Sequence, residues 1–188
     1  MTTQSIARYG AVAQTFHWVT GVLVLVAFIY GPGGSETRVY SSAMGSDRQL
    51  HETLGLTVLL LVTFRLLWRT VHRRPDPPRV PRWMDFTSKI VQSLLYVLMF
   101  ALPITAIMGA WLEAHPLTLL GNLHIGPYIA PSHDIGSRIS ALHGWLGDVI
   151  MWLAGIHALA AILHHIVLRD GVLVSMTPRW LPLRRRTR

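Results

Sequence analysis

The 188-residue chain contains no cysteine. Disulfides, cysteine-ligated iron–sulfur clusters, thiolate haem ligation and covalent c-type haem attachment are therefore excluded, and cysteine usage says nothing about redox compartment. Charge is scarce as well: 14% of residues are Asp, Glu, Lys or Arg, against about 25% in soluble domains. Acids are the scarcest, 9 against 17 bases, for a net charge of +8. Such an excess would point to nucleic acid only as a stripe on a soluble surface. Here it falls between and after apolar runs, the pattern of membrane topology, so nucleic acid is not an expected partner. Solenoid repeats are lacking, and the basic tail Arg184–Arg188 is the one low-complexity block. A cleaved signal is not expected either. The segment before the first apolar run is long and weakly charged, that run opens with Gln14, Thr15 and His17, and Gly31–Gly34 offers no A-x-A site.

What is present is apolar sequence, 51% of the chain with a mean hydropathy of +0.40. Four runs, at about 13–30, 51–68, 87–111 and 139–168, are each long enough to cross a bilayer. The third contains Pro103, tolerated in a membrane helix where neighbours satisfy the freed carbonyl. The fourth exceeds ~20 residues and must tilt or project. Arg8, the group Arg65, Arg69, Arg73, Arg74, Arg79, Arg82 and Lys89, and the group Arg169, Arg179, Arg184, Arg185, Arg186 and Arg188 fall on one side; Arg38, Arg48 and Arg138 fall on the other. By the positive-inside rule this predicts an all-α, transmembrane four-helix bundle with both termini cytoplasmic, forming a single domain over 1–188 with a basic cytoplasmic tail at 169–188. Pro75–Pro81 reads as an extended cytoplasmic connector. Glu113–Ser137 is the longest external loop, a length common in lids and caps; its His115, His124 and His133 read as surface residues.

Histidine placement carries the chemistry. His143 and His157 are 14 residues apart on the last run, which brings them within about 40° of one direction and ~21 Å apart along the axis. One helix thus offers an imidazole near each leaflet. Topology then matches His17 with His157 towards the cytoplasm and His51 with His143 outside. Ionisable groups are expensive inside a membrane and default to function. Zinc or copper would be expected to recruit carboxylate, Cys or Met ligands and a water-accessible position. Two imidazoles in an apolar slot suit a haem instead. Gly21, Gly55, Gly109, Gly144, Gly147 and Gly155 could make room for a macrocycle or serve close helix packing equally well. Arg65 and then Arg8 are the candidate propionate donors on the cytoplasmic side; Arg48, Arg138 and Arg38 are the cations available outside, for propionate or for attracting a small anion. His164 and His165 could contact a quinone or move protons, or simply snorkel to water.

RYGAVAQTFHW (8–18), LHETLGL (50–56), FRLLWR (64–69), ALPITAIMG (101–109), LHGWLGDVIMWLAGIHALAAILHH (142–165) and LRDGVLVSMTP (168–178) together resemble the bacterial cytochrome b561 family of di-haem membrane cytochromes. The resemblance implies two haem b groups with His17/His157 and His51/His143 as axial ligands, in a multi-pass protein of the bacterial inner membrane surrounded by lipid. Stand-alone members resemble superoxide:ubiquinone oxidoreductases, passing electrons from superoxide at the periplasmic face to ubiquinone. Others resemble cytochrome b subunits relaying electrons between a partner dehydrogenase or hydrogenase and the quinone pool. The three external arginines depart from a strongly cationic outer surface.

Overall fold

A computed structural model describes residues 8–31, 45–72, 80–178 and 180–181. Arg38, most of the Pro-rich connector and the tail Arg184–Arg188 lie outside the described residues. The described elements are helices α1 (Ala11–Ile29), α2 (Gly45–Val71) and α3 (Arg82–Leu112), strands β1 (Leu117–Leu119) and β2 (Leu123–Ile125), helix α4 (His133–Leu163) continuing through a π-helical turn (His164–Leu168), and a short helix α5 (Val172–Met176). Four of these helices, counting α4 with its π turn, are long and apolar enough to cross a membrane.

Helices α2, α3 and α4 each begin five or six residues before the corresponding apolar run. Hydropathy marks the stretch suited to lipid, whereas backbone hydrogen bonding extends into polar flanks. Asp47, Asp85 and Asp134 occupy the three first turns, where a carboxylate favours the positive end of the helix dipole. Pro103 is buried inside a continuous α3, so the chain does not break where the proline removes a donor.

The bundle core is small: Val62, Leu98, Met99 and Ile150 are buried at its centre, flanked by Val24, Leu95 and Leu146. Large apolar side chains face outward along every span, among them Val22, Phe64, Leu67 and Trp152. Apolar surface all round is expected where lipid replaces water as the solvent. Helices α3 and α4 approach closely at one point: a Cβ on Gly109 would meet Ser140 Oγ at 2.7 Å and Ser140 N at 3.4 Å. Of the six candidate glycines, Gly109 is thus a packing residue, whereas a Cβ at any of the other five would meet nothing within 4 Å.

Two features depart from the all-α reading and from a simple tail. The long loop after α3 folds into an antiparallel hairpin, Leu117 opposite Ile125 and Leu119 opposite Leu123. It turns through Leu120–Asn122, where Gly121 and Asn122 take the left-handed backbone (φ 82° and 60°) that Gly and Asn adopt at least cost. Three-residue strands carry little hydropathy signal, so the loop gave no warning of them. After the π turn, Arg169 and Gly171 are left-handed (φ 54° and 83°) and reverse the chain, so that residues 172–178 lie back against the start of α1. Tyr9 N donates to Ser175 O (3.0 Å), Gln14 Nε2 to Ser175 O (3.3 Å) and Thr177 O (3.1 Å), and Trp18 Nε1 to Met176 O (2.8 Å). The hairpin therefore marks one end of the bundle and this latch the other.

Candidate cofactor sites

The bundle brings the four predicted histidines together in the predicted pairs. At the hairpin end the rings of His51 on α2 and His143 on α4 lie 5.9 Å apart, centroid to centroid, at 88°. At the latch end His17 on α1 and His157 on α4 lie 6.3 Å apart at 80°. Two imidazoles bound through Nε2 at ~2 Å to one metal ion would have ring centroids roughly 6 Å apart. Both pairs fit that span. Two ligands do not complete a metal's coordination, and no cluster of three or more metal-ligating side chains occurs among the described residues. The remaining ligands would have to come from the cofactor itself, as a porphyrin supplies them.

The hairpin-end rings are held in the tautomer that ligation needs. His51 Nδ1 lies 2.7 Å from Ala27 O, and His143 Nδ1 lies 2.9 Å from Leu102 O, with Thr105 Oγ1 at 3.3 Å. A carbonyl only accepts, so each Nδ1 carries the proton and each Nε2 keeps its lone pair. Ala27 is available because it lies in the last four residues of α1, whose carbonyls lack intrahelical partners. Beside the rings opens an apolar cavity, lined by both and walled by Val24, Phe28, Gly55, Val58, Met99, Pro103, Gly147 and Ile150. Gly55 and Gly147 thus serve the slot, while Gly109 serves packing.

The latch-end pair is built differently. Arg65 Nη2 lies 3.4 Å from His17 Nδ1. A guanidinium has no acceptor, so Nδ1 accepts here and the ring proton sits on Nε2. Holding a metal through Nε2 would require the other tautomer, with Nδ1 protonated, and would free Arg65 for another partner. Its guanidinium carbon also stands 5.4 Å from the Tyr96 ring centre, with Arg69 at 5.6 Å.

The remaining candidate residues divide. Arg8 Nη1 donates to Thr177 O (3.5 Å) and Pro178 O (3.3 Å), so it serves the latch. Arg138 pairs with Asp134 at 3.1 Å on the exposed surface. The charge of Arg48 is close enough to act on Glu52. His164 bonds through Nδ1 to Asp170 Oδ2, and Asp170 Oδ1 accepts from Val172 N at 3.0 Å; His165 is half-buried in the same turn. Sequence reasoning missed Asp170, Gln14, Trp18 and Thr105. Only Asp170 had a readable signal, an acid beside the helix-ending Gly171. The carbonyls of Ala27 and Leu102 had none, because a backbone acceptor has no residue identity.

Comparison with known proteins agrees with this architecture. A family model described as prokaryotic cytochrome b561 matches residues 8–179. The chain is 25% identical to cytochrome b561 homolog 2 of Escherichia coli (strain K12), covering 93% of each chain. It is 28% identical to cytochrome b561 homolog 1 of the same organism over 92% of this chain and 98% of that one. It is 29% identical to the probable superoxide oxidase CybB of Yersinia pestis over 92% of this chain and 97% of that one. The chain belongs to the prokaryotic cytochrome b561 family, bacterial multi-pass membrane electron-transfer proteins for which the family implies haem b.

Proposed function

We propose that the chain is a di-haem b protein of the inner membrane, with both termini cytoplasmic, that carries electrons from the hairpin side to ubiquinone. The observation that supports this best is the pair of crossed imidazoles at each end of the bundle, 5.9 and 6.3 Å apart. His51 and His143 would hold one group, His17 and His157 the other. Haem b supplies one-electron storage at a potential set by ligands, hydrogen bonds and burial. The protein's part follows from its own residues. Ala27 O and Leu102 O fix ring orientation and raise imidazole basicity. The apolar slot excludes water. Arg65, freed from His17 Nδ1 if that ring held the group, would be the donor for an anionic propionate at this end. The His164–Asp170 pair is positioned to hold a proton near the latch end, where quinone reduction would consume one.

Superoxide is the proposed electron donor, supported by the name of the Yersinia pestis relative. A specific observation favours a second reading, that of a cytochrome b subunit fed by a redox partner protein. Arg138 is paired with Asp134 and Arg48 stands one helical turn before Glu52, so among the described residues the hairpin face has little unbalanced positive charge to steer a small anion. Stopped-flow mixing of oxidised, haem-loaded protein with superoxide, with and without a quinone analogue, separates the two. Reduction near the diffusion limit supports the oxidase; slow reduction supports the relay subunit.

A further inference from the structure

The hairpin is fastened to the helix that carries His51, by the two residues that follow it. In a two-stranded ladder, alternate N–H groups of each strand point away from the partner strand and need acceptors elsewhere. On β1 and the turn beyond it these are Thr118 N and Leu120 N. Thr118 N donates to Glu52 Oε2 and Leu120 N donates to Thr53 Oγ1 at 2.9 Å. The Thr53 hydroxyl both accepts and donates, its own proton going to Gln49 O at 2.7 Å. One turn earlier on α2, Gln49 Nε2 reaches Asn122 Oδ1 at 3.1 Å. The clamp brings Leu117 down until it is 4% exposed, and Leu117 together with Glu52 lines the His51/His143 slot. On the other side Trp111 Nε1 donates to Ile125 O at 3.1 Å.

We infer that Glu52 and Thr53 are positioning residues that hold the hairpin as the cover of the hairpin-end slot, so that the hairpin determines what reaches that slot from the aqueous side. Nothing in this role uses the charge of Glu52; it needs an acceptor atom at that position. A Gln can supply one through its carbonyl oxygen, whereas Ala cannot, and a Ser can do for Leu120 N what Val cannot. The cover would admit electrons across its edge while keeping polar solutes from the slot, which suits a site that exchanges electrons without binding a substrate at the metal.

The inference rests on reading the slot as a haem site, and the test separates the two. Amide hydrogen exchange of residues 117–125 is measured first, in detergent, for E52A, E52Q, T53V and T53S. A lost bond that leaves an N–H without an acceptor should speed opening about tenfold, which corresponds to ~1.4 kcal/mol. Exchange should accelerate about tenfold in E52A and T53V and stay near wild type in E52Q and T53S. On the haem-loaded proteins the rate of reduction by dithionite is then compared. Because E52A and E52Q lose the same charge, faster reduction of the hairpin-end haem in E52A than in E52Q isolates the cover from electrostatics. Wild-type exchange rates in E52A and T53V, or E52Q behaving as E52A does, overturn the inference. Altered exchange with an unchanged hairpin-end haem reduction rate overturns the gating role, and a wild-type protein with no b-type spectrum overturns the haem reading instead.

Discussion

Replacing Gly109 by alanine pits two effects of known size against each other. Glycine inside a helix costs about 0.5–1 kcal/mol relative to alanine, so the substitution should stabilise α3 if space is free. The added Cβ would stand 2.7 Å from Ser140 Oγ, 3.4 Å from Ser140 N and 3.6 Å from Ser140 Cα. The first distance cannot persist, so Ser140 Oγ has to shift or α3 and α4 have to part; the other two are ordinary van der Waals contacts. Overpacking of this kind costs typically 1–3 kcal/mol, so the clash outweighs the propensity gain by about 1 kcal/mol. At about 2–4 °C per kcal/mol for a chain of this size, G109A should lower Tm by a few degrees. Removing the clashing oxygen should reverse the sign: G109A/S140A should melt at or above wild type, while S140A alone stays near it. The same cycle reads out at the site. Leu102 and His143 lie on these two helices, so separating them lengthens the 2.9 Å bond from His143 Nδ1 to Leu102 O, and G109A should shift the hairpin-end haem spectrum and potential while G109A/S140A restores them. A G109A protein more stable than wild type, with no coupling to Ser140, would refute the close approach of α3 and α4.

Other perturbations reach the two ends of the bundle separately. His51→Ala or His143→Ala should each remove the same haem component from a reduced-minus-oxidised spectrum, and His17→Ala or His157→Ala the other; loss of one component by both H17A and H143A would show the pairing to be wrong. Gln14→Leu deletes two bonds of the latch, but Tyr9 N and Arg8 still serve the same carbonyls, so the loss should stay near ~1 kcal/mol and appear as about fivefold to tenfold faster amide exchange at Ser175 and Thr177. Arg65→Met should change the potential or retention of the latch-end haem and leave the hairpin-end haem unaltered, as redox titration of each component would report. His164→Phe should leave both haem spectra intact while slowing quinone-dependent reoxidation by about 10²-fold, the scale of a lost proton donor; unchanged reoxidation would remove His164 from the reaction.

Much of this was legible in the residues because membrane sequences are constrained by lipid. Four apolar runs became four helices, and the run containing His143 and His157 placed their rings towards opposite ends with no help from packing. The helix starts were not legible, since Asp47, Asp85 and Asp134 extend each helix into polar sequence that hydropathy scores as loop. The hairpin was hidden for a related reason: its strands are three residues long and its key acceptors, Glu52 and Thr53, lie 66 and 67 residues from the amides they bind. The carbonyl contacts of Arg8 were not legible, because a cation near a membrane end suits propionate, lipid or a carbonyl equally well, and only the folded-back 172–178 segment supplies the carbonyls. Gly109 was named among residues that could make room for a cofactor, yet its neighbour is Ser140 rather than the slot; sequence gives a glycine's size and not what faces it.

Electron paramagnetic resonance of the oxidised, haem-loaded protein tests the central assignment most directly. The angle between two axial imidazole planes sets the anisotropy of a low-spin ferric signal. The pairs stand at 88° and 80°, so two highly anisotropic low-spin signals are expected, from two haems per chain, with the same one lost in H51A and H143A. A single signal, a high-spin ferric species in the wild-type protein, or the rhombic spectrum of parallel rings would contradict two crossed bis-histidine sites.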